Sequence, residues 1–378
     1  MHRKLKTIID TAIGATAIMP DSHPTRVLAG GAYFNLKNGT RYLGGFFRKT
    51  LDDDFIQSPW QALSDGLPEN VEARVIVFHP KQRDVIYAGT QDGPYRSTDG
   101  GDTWERLGFP ERGIVIWSLV FHPTRPRVMY AGAAPVGMYR SEDGGDNWVK
   151  LPGAFDSGHC PMDFPTRTIG IAADAGRPDD LYASLEVSGV LRSTDGGDTW
   201  ADISEPLIRL ADQPHLKSRL GSSTDASGML DSHAITVSAA SSGNPFLAVR
   251  MGIFRSADRG TSWRDIEVGR YSPMTYCRDV MVSPHDARVM YACLSESSRG
   301  KVGSLYRSDD VGDSWRRIDH GFTANATMMS SAVHLRDPAT VCCVSRCGQV
   351  FATADNGASW RESQLPKDVK DVFAVACG

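Results

Sequence analysis

The sequence lacks a long apolar run, a surplus of basic charge and a regular cysteine pattern, and each absence removes a class of protein. Among 378 residues no stretch of 18 apolar residues occurs, so no helix is expected to cross a membrane. Lys and Arg number 41 against 45 Asp and Glu, a net charge of −4. A nucleic-acid partner is therefore not expected, because phosphate neutralisation calls for a basic excess. Cysteines number seven (Cys160, Cys277, Cys293, Cys342, Cys343, Cys347 and Cys377), an odd count without even spacing. That makes a poor disulfide framework, and reduced, buried thiols in a cytoplasmic protein are the expectation. Arg3, Lys4 and Lys6 precede a mildly apolar stretch from Thr7 to Met19, but Asp10 interrupts it, so it reads as a weak export signal. No HxH, HExxH or CxxC spacing and no glycine-rich phosphate loop occurs, so neither a metal nor a cofactor is expected.

What the chain does have is repetition. Six segments align without gaps: YRSTDGGDTW (Tyr95 to Trp104), YRSEDGGDNW (Tyr139 to Trp148), LRSTDGGDTW (Leu191 to Trp200), FRSADRGTSW (Phe254 to Trp263), YRSDDVGDSW (Tyr306 to Trp315) and FATADNGASW (Phe351 to Trp360). An eroded seventh copy runs from Phe47 to Trp60. The shared core is S/T-x-D-x-G-x-S/T-W, and of eight tryptophans only Trp117 stands outside it. Asp and Ser/Thr side chains bond turn backbone, Gly supplies positive φ, and Trp packs beneath, so the pattern describes a fastened turn. Upstream of each copy lie two further strand-like runs separated by a turn, as in RVIVF, His79-Pro80 and VIYAG. Four short strands per repeat, at a period of 44 or more, is the arithmetic of a propeller.

The pattern resembles the Asp-box (BNR) repeat, and the resemblance covers nearly the whole chain. It implies an all-β, seven-bladed β-propeller with four-stranded blades and the box as the turn between third and fourth strands. Blades are expected over residues 11–66, 71–110, 114–153, 166–206, 232–270, 277–320 and 328–364, in one propeller domain over 1–378. LPKDVKDVFAVA (Leu365 to Ala376) echoes LPENVEARVIVF (Leu67 to Phe78), which marks 369–377 as a surplus strand that closes the ring at the first blade. Either it or Ile13 to Met19 is the innermost strand there.

Insertions locate the variable face. Successive box tryptophans are separated by 44, 44, 52, 63, 52 and 45 residues from Trp60 onward. Extra length falls at Val149 to Pro165 and Ala201 to Asp231, after fourth strands, and at Gly31 to Gly45 and Leu294 to Ser304, after second strands. Both kinds of connection leave a propeller on the same face, opposite the boxes. Function is expected on that face, where loops vary on a rigid scaffold. His23, His79, His122, His285 and His334 belong to the opposite face and are expected to be structural.

His233 and His159 then remain as histidines able to do chemistry. His233 is expected at the mouth of the central channel as a general base, with Glu186 as its acid/base partner. The ring around them is read as Glu72, Arg74, Trp117, Arg167, Tyr276, Arg278 and Asn325, followed after second strands by Gln91, Glu186, Arg250, Glu296 and Arg346. Such an arginine excess suits an anionic or carboxylate-bearing small molecule held by bidentate bonds, with Trp117 as a stacking wall. Substrate-binding candidates are thus Arg74, Gln91, Trp117, His159, Arg167, Arg250, Tyr276, Arg278 and Arg346.

Within the family resembled, sialidases have six blades and an N-terminal Arg-Ile-Pro element, which this chain lacks. Xyloglucan-active enzymes use two such propellers in tandem, sortilin-type receptors add cysteine-rich modules, and the photosystem II assembly factor is a single exported propeller. The expectation is a hydrolase or lyase acting at the channel mouth on a small, carbohydrate-like anion. The alternative is a non-catalytic scaffold that holds a protein partner on the same face, for which exposed Leu207, Ile208 and Leu210 would speak.

Overall fold

Runs such as VIVF, IYAGT and GPYRS are β-branched, aromatic or small, and each is short enough to serve as a single propeller strand. In the computed structural model, which describes residues 24–35, 41–153, 156–221 and 224–378, they form seven four-stranded antiparallel sheets and one two-stranded hairpin. Within each blade the strands follow chain order from the channel outward, as in Val75–Phe78, Ile86–Thr90, Gly93–Ser97 and Glu105–Arg106 of the second blade. The protein is a seven-bladed all-β propeller.

The first blade is the exception to chain order. Its innermost strand is Val372–Cys377, followed by Arg26–Gly31, Gly45–Thr50 and Gln61–Ala62. The C-terminal strand is therefore the ring-closing one. Val27 pairs with Cys377 and Ala29 with Val375, and Arg26 and Gly378 exchange both backbone hydrogen bonds at 2.8 and 3.0 Å. The alternative strand, Ile13 to Met19, lies outside the described residues, as does His23.

Apolar side chains do not gather in one core. They form seven layers, one between each pair of neighbouring blades, such as Tyr87, Ile116 and Trp148 between the second and third, and Val27, Phe55 and Cys342 between the seventh and first. An eighth, small layer of Cys160, Val187 and Leu230 lies beneath the long insertions. Second strands, sandwiched on both faces, are fully buried, as in Ile86–Thr90 and Pro245–Val249. The outermost strands are short and exposed, with charged pairs such as Arg316–Arg317, which blunts them as edges for pairing with another chain.

The six complete boxes share the serine/threonine and aspartate bonds of one turn, and four of them share the tryptophan bond as well. In the second blade Gly101 N–H donates to Ser97 Oγ at 2.8 Å, Thr103 N–H and Oγ1–H donate to Asp99 at 2.9 and 2.6 Å, and Trp104 Nε1–H donates to Gly101 O at 3.2 Å. The box aspartates are thus held as turn acceptors. The arginine near the box end of the third strand reaches the next blade in five blades. Arg48, Arg96, Arg140 and Arg255 pair with Asp102, Asp146, Asp198 and Asp313 at 2.5 to 3.0 Å. Where the next box has Thr261 in place of that aspartate, Arg192 donates to Arg259 O instead. Where it has Ala358, Arg307 turns to Asp309 of its own blade.

Three histidines of the first turn are turn acceptors as well, whereas His285 donates from Nε2 to His334 O at 2.7 Å. His79 Nδ1 receives the N–H of Lys81 and Gln82, His122 that of Thr124 and Arg125, and His334 that of Arg336 and Asp337, all at 3.0 to 3.2 Å. Burial pushes the pKa of His79 and His122 below the ordinary value, which keeps the accepting lone pair.

Hydrogen bonds from Thr199 and Ser359 hold Asp195 and Asp355 at a pKa of about 2; in Asp99 burial opposes the shift, but the bonds from Thr103 outweigh it, again to about 2. These carboxylates ionise more readily folded than unfolded, where the value is about 3.9. Their contribution to stability is full above about pH 4 and is lost as pH falls towards 2. Melting curves should show Asp195→Asn destabilised at pH 7, with the gap to the unsubstituted protein closing between pH 4 and 2. A gap independent of pH would contradict this role.

Candidate functional site

Inner strands converge on the channel, and there is little room between them. Second-strand residues at that level are small: a Cβ on Gly132 would lie 2.3 Å from Ser118 Oγ and 2.7 Å from Thr168 Cγ2 of the next blade. At the same level the inner strands of six blades carry a β-bulge. The extra residues are Phe373, Trp117, Ile169, His233, Arg278 and Met329, in blades 1, 3, 4, 5, 6 and 7. In the second blade Arg74 stands at the head of the strand, its N–H bonded to Gly89 O at 2.9 Å. A bulge breaks the ladder and re-aims one side chain. Here all seven residues line the central channel, a space of about 500 Å³ that runs along the inner strands to Phe78 and Pro80.

Above the ring, on the face of the insertions, lies a cavity of about 300 Å³. It gathers Trp117, Arg167, Glu186 and His233 with Arg250, Tyr276, Arg278 and Arg346, eight of the residues expected from sequence. Arg74 lines the channel just beneath. Gln91 and His159 are not among the lining residues. Gln91 braces the strand entry, accepting from Glu72 N at 2.9 Å and donating to Asn70 O at 3.2 Å. His159 is tied to Asp202 at 2.7 Å and anchors its insertion to the outer strand of the fourth blade.

The expected His233–Glu186 pair is not made. Glu186 is ion-paired with Arg167. His233 takes Asp231 instead, with Nε2 3.4 Å from Oδ2. Its Nδ1 lies 2.6 Å from Cys277 O, and since a carbonyl only accepts, Nδ1 carries the proton. Nε2 then offers its lone pair to Tyr276 Oη at 3.3 Å, with the two rings 4.9 Å apart. The His233 side chain is only 2% exposed. Burial alone would raise the Asp231 pKa, but the charge that His233 carries when protonated, with Arg250 and Arg278, outweighs it and holds the carboxyl below the ordinary value. Burial raises the pKa of the Tyr276 hydroxyl, so it stands protonated and donates.

Trp117 is not an open stacking wall. Arg74 and Arg167 each place Cζ 4.4 Å from its ring centre, Phe373 meets it edge-on at 5.5 Å, and the residue is 8% exposed. The accessible aromatic is Phe164, 38% exposed at the rim of the same cavity. The arginine excess is also smaller than it looked. Arg74 is paired with Glu72, Arg250 with Asp231, and Arg346 with Asp371. In blades 4 and 7 the ring residues are Ile169 and Met329 rather than Arg167 and Asn325, because the bulges lie further along the strands than the repeat alignment places them. Asp231, Phe164 and Phe373 were missed; the first two sit in or at the end of insertions, where no repeat gives a register.

A BNR/Asp-box repeat signature matches residues 95–106, and the chain carries this repeat around its whole ring. It is 24% identical to a xyloglucanase of Hypocrea jecorina over 326 residues, which are 75% of this chain and 38% of that protein. It resembles the GH74 xyloglucanase from Xanthomonas campestris in structure, with TM-score 0.58 and 17% identity over 80% of this chain and 46% of that one. YCF48 from Cyanidioschyzon merolae is similar at TM-score 0.55 and 16% identity, over 81% of this chain and 88% of that one. These structural likenesses establish the fold. The chain spans less than half the length of the xyloglucanases it matches. The cytoplasmic location expected from the cysteines is corrected here, since the xyloglucanase relatives are typically secreted enzymes. The thiols were a poor guide: six of the seven are buried in packing layers, so they report core filling rather than redox compartment.

Asp231 is buried against two cations, whereas the His159–Asp202 pair is partly exposed. Asp231→Asn should lower the unfolding free energy in urea by about 1–3 kcal/mol, the cost of leaving buried partners unsatisfied. His159→Ala should cost about 0.2–1 kcal/mol, as for a surface pair. Equal losses would contradict the assignment of the two histidines to different surroundings.

Proposed function

We propose that this chain is a carbohydrate-active hydrolase whose reaction site is the cavity at the channel mouth. The observation that carries the reading is the buried Asp231–His233–Tyr276 cluster, aimed at that cavity by a bulge. In this reading His233 does not touch substrate directly. Tyr276 donates its hydroxyl proton to Nε2 of His233 as Oη withdraws one from the attacking water, and Asp231 stabilises the imidazolium that forms; as the water oxygen bonds to the anomeric carbon the glycosidic C–O bond breaks, and the proton returns from His233 through Tyr276 to the leaving oxygen. Arg250 fixes Asp231, donating from Nε at 3.0 Å. The xyloglucanase relatives support carbohydrate as the substrate class.

One observation favours a second reading, a propeller that binds without chemistry. Canonical glycosidases use two available carboxyl groups, and here Glu72, Glu186, Asp231 and Asp371 are each engaged by an arginine. The apolar surface that would mark a protein-docking face is not supplied by the long insertion: Leu207 is fully buried, and Ile208 and Leu210 pack against the same layer.

Release of reducing ends from neutral and uronic-acid oligosaccharides separates the two readings. Acid–base roles are worth about 10²–10⁴ in rate, so Tyr276→Phe and His233→Ala should each lower kcat by about 100-fold or more, with KM little changed. A loss below a few-fold in His233→Ala would remove the histidine from the mechanism. No turnover by the unsubstituted protein, with binding retained, would establish the second reading.

A further inference from the structure

Charge at the mouth is almost balanced. Arg74, Arg167, Arg250 and Arg346 each have a carboxylate of their own. Arg346 is further occupied by Ser298 O at 2.7 Å. Arg278 differs from all of them. Among the described residues its guanidinium has no hydrogen-bond or ion-pair partner, yet it lines both the cavity and the channel. Its charge acts through space on Asp231 and Asp279. Both have other partners: Asp231 faces His233 and Arg250, and Asp279 accepts from Ser331 N and Oγ at 2.8 and 3.1 Å.

A half-buried guanidinium with no protein partner keeps its donors open to water or to an arriving anion. Arg278 is not there by accident of a loop, because it is the extra residue of a bulge within a regular strand and its backbone is fixed. Among the described residues Arg278 is the one arginine of the mouth with no carboxylate in contact, and one guanidinium suits one carboxylate. A dianion such as a phosphate would remain half-neutralised beside Asp231 and Asp279. Beside its charged residues the cavity also has apolar lining, Phe164, Met162 and Leu220 among it. At about 300 Å³ it stands at the small end of ligand pockets.

We propose that Arg278 is a docking point for a single carboxylate and that the ligand class is a uronic acid, with the sugar's apolar face against Phe164. This rests on the reading that the mouth takes carbohydrate, and it narrows that reading to acidic sugars. Calorimetric titration with glucuronate, glucose and acetate tests it, using the unsubstituted protein, Arg278→Gln and Arg278→Lys.

A carboxylate–guanidinium bond is worth enough for about a tenfold or greater preference for glucuronate over glucose. That preference should vanish in Arg278→Gln, with glucose affinity within about twofold of the unsubstituted protein, and should return in part in Arg278→Lys. Equal binding of the two sugars by the unsubstituted protein, or a preference that survives Arg278→Gln, overturns the proposal and leaves the carbohydrate reading standing. If neither sugar binds, the carbohydrate reading fails. Acetate then decides the anion site: binding lost in Arg278→Gln upholds it, and no binding overturns it.

Discussion

Pairing between Val372–Cys377 and Arg26–Gly31 is the constraint on which the rest of this molecule depends. A ring of blades has no core of its own; each apolar layer exists only because the next blade covers it. Without the C-terminal strand, the layers on both sides of the first blade would open, since Val372 and Val375 belong to one and Ala374 and Ala376 to the other. Closure also fixes the radius at which seven inner strands meet. Only at a fixed radius do the bulges fall at one level and point their extra residues into a common space.

The two faces divide the work. On the box face, hydrogen bonds from serine, threonine and backbone to aspartate fasten each turn, and arginine from the blade before ties it to its neighbour. These surface pairs are individually weak, and they act as a register for blade packing more than as a source of stability. Their logic is visible where it lapses, at Arg192 and Arg307, which turn elsewhere when the next box offers no carboxylate. On the other face the ring residues diverge. Arg74, Trp117, Ile169, His233, Arg278, Met329 and Phe373 occupy equivalent positions, and only arginine occurs twice.

Much of this could be read from sequence because repetition is self-checking. Six boxes aligned against one another give strand order, blade number and the face on which variation falls, and subtraction of the repeat left Trp117, His159, His233 and the arginines, of which His159 lies outside the cavity lining. Side-chain period in a strand is two, so an unseen bulge shifts a prediction by a residue or more; that is how Arg167 and Asn325 stood in for Ile169 and Met329. Ion pairs were illegible for a different reason. Which carboxylate meets which arginine is decided across blades and between insertions, so Glu186 was assigned to His233 when Arg167 holds it. Asp231 looked like the last residue of a loop, and Phe164 like one of many insertion residues.

The bulged ring and the insertions above it are the proposed seat of function, with the boxes silent. Hydrogen–deuterium exchange with and without an acidic oligosaccharide tests this most directly. Protection is predicted at the mouth, in peptides carrying Phe164, Arg167, Asp231, His233, Tyr276 and Arg278, with no change in the six box turns. Protection confined to the box turns or the outer strands, with the mouth unchanged, would contradict it.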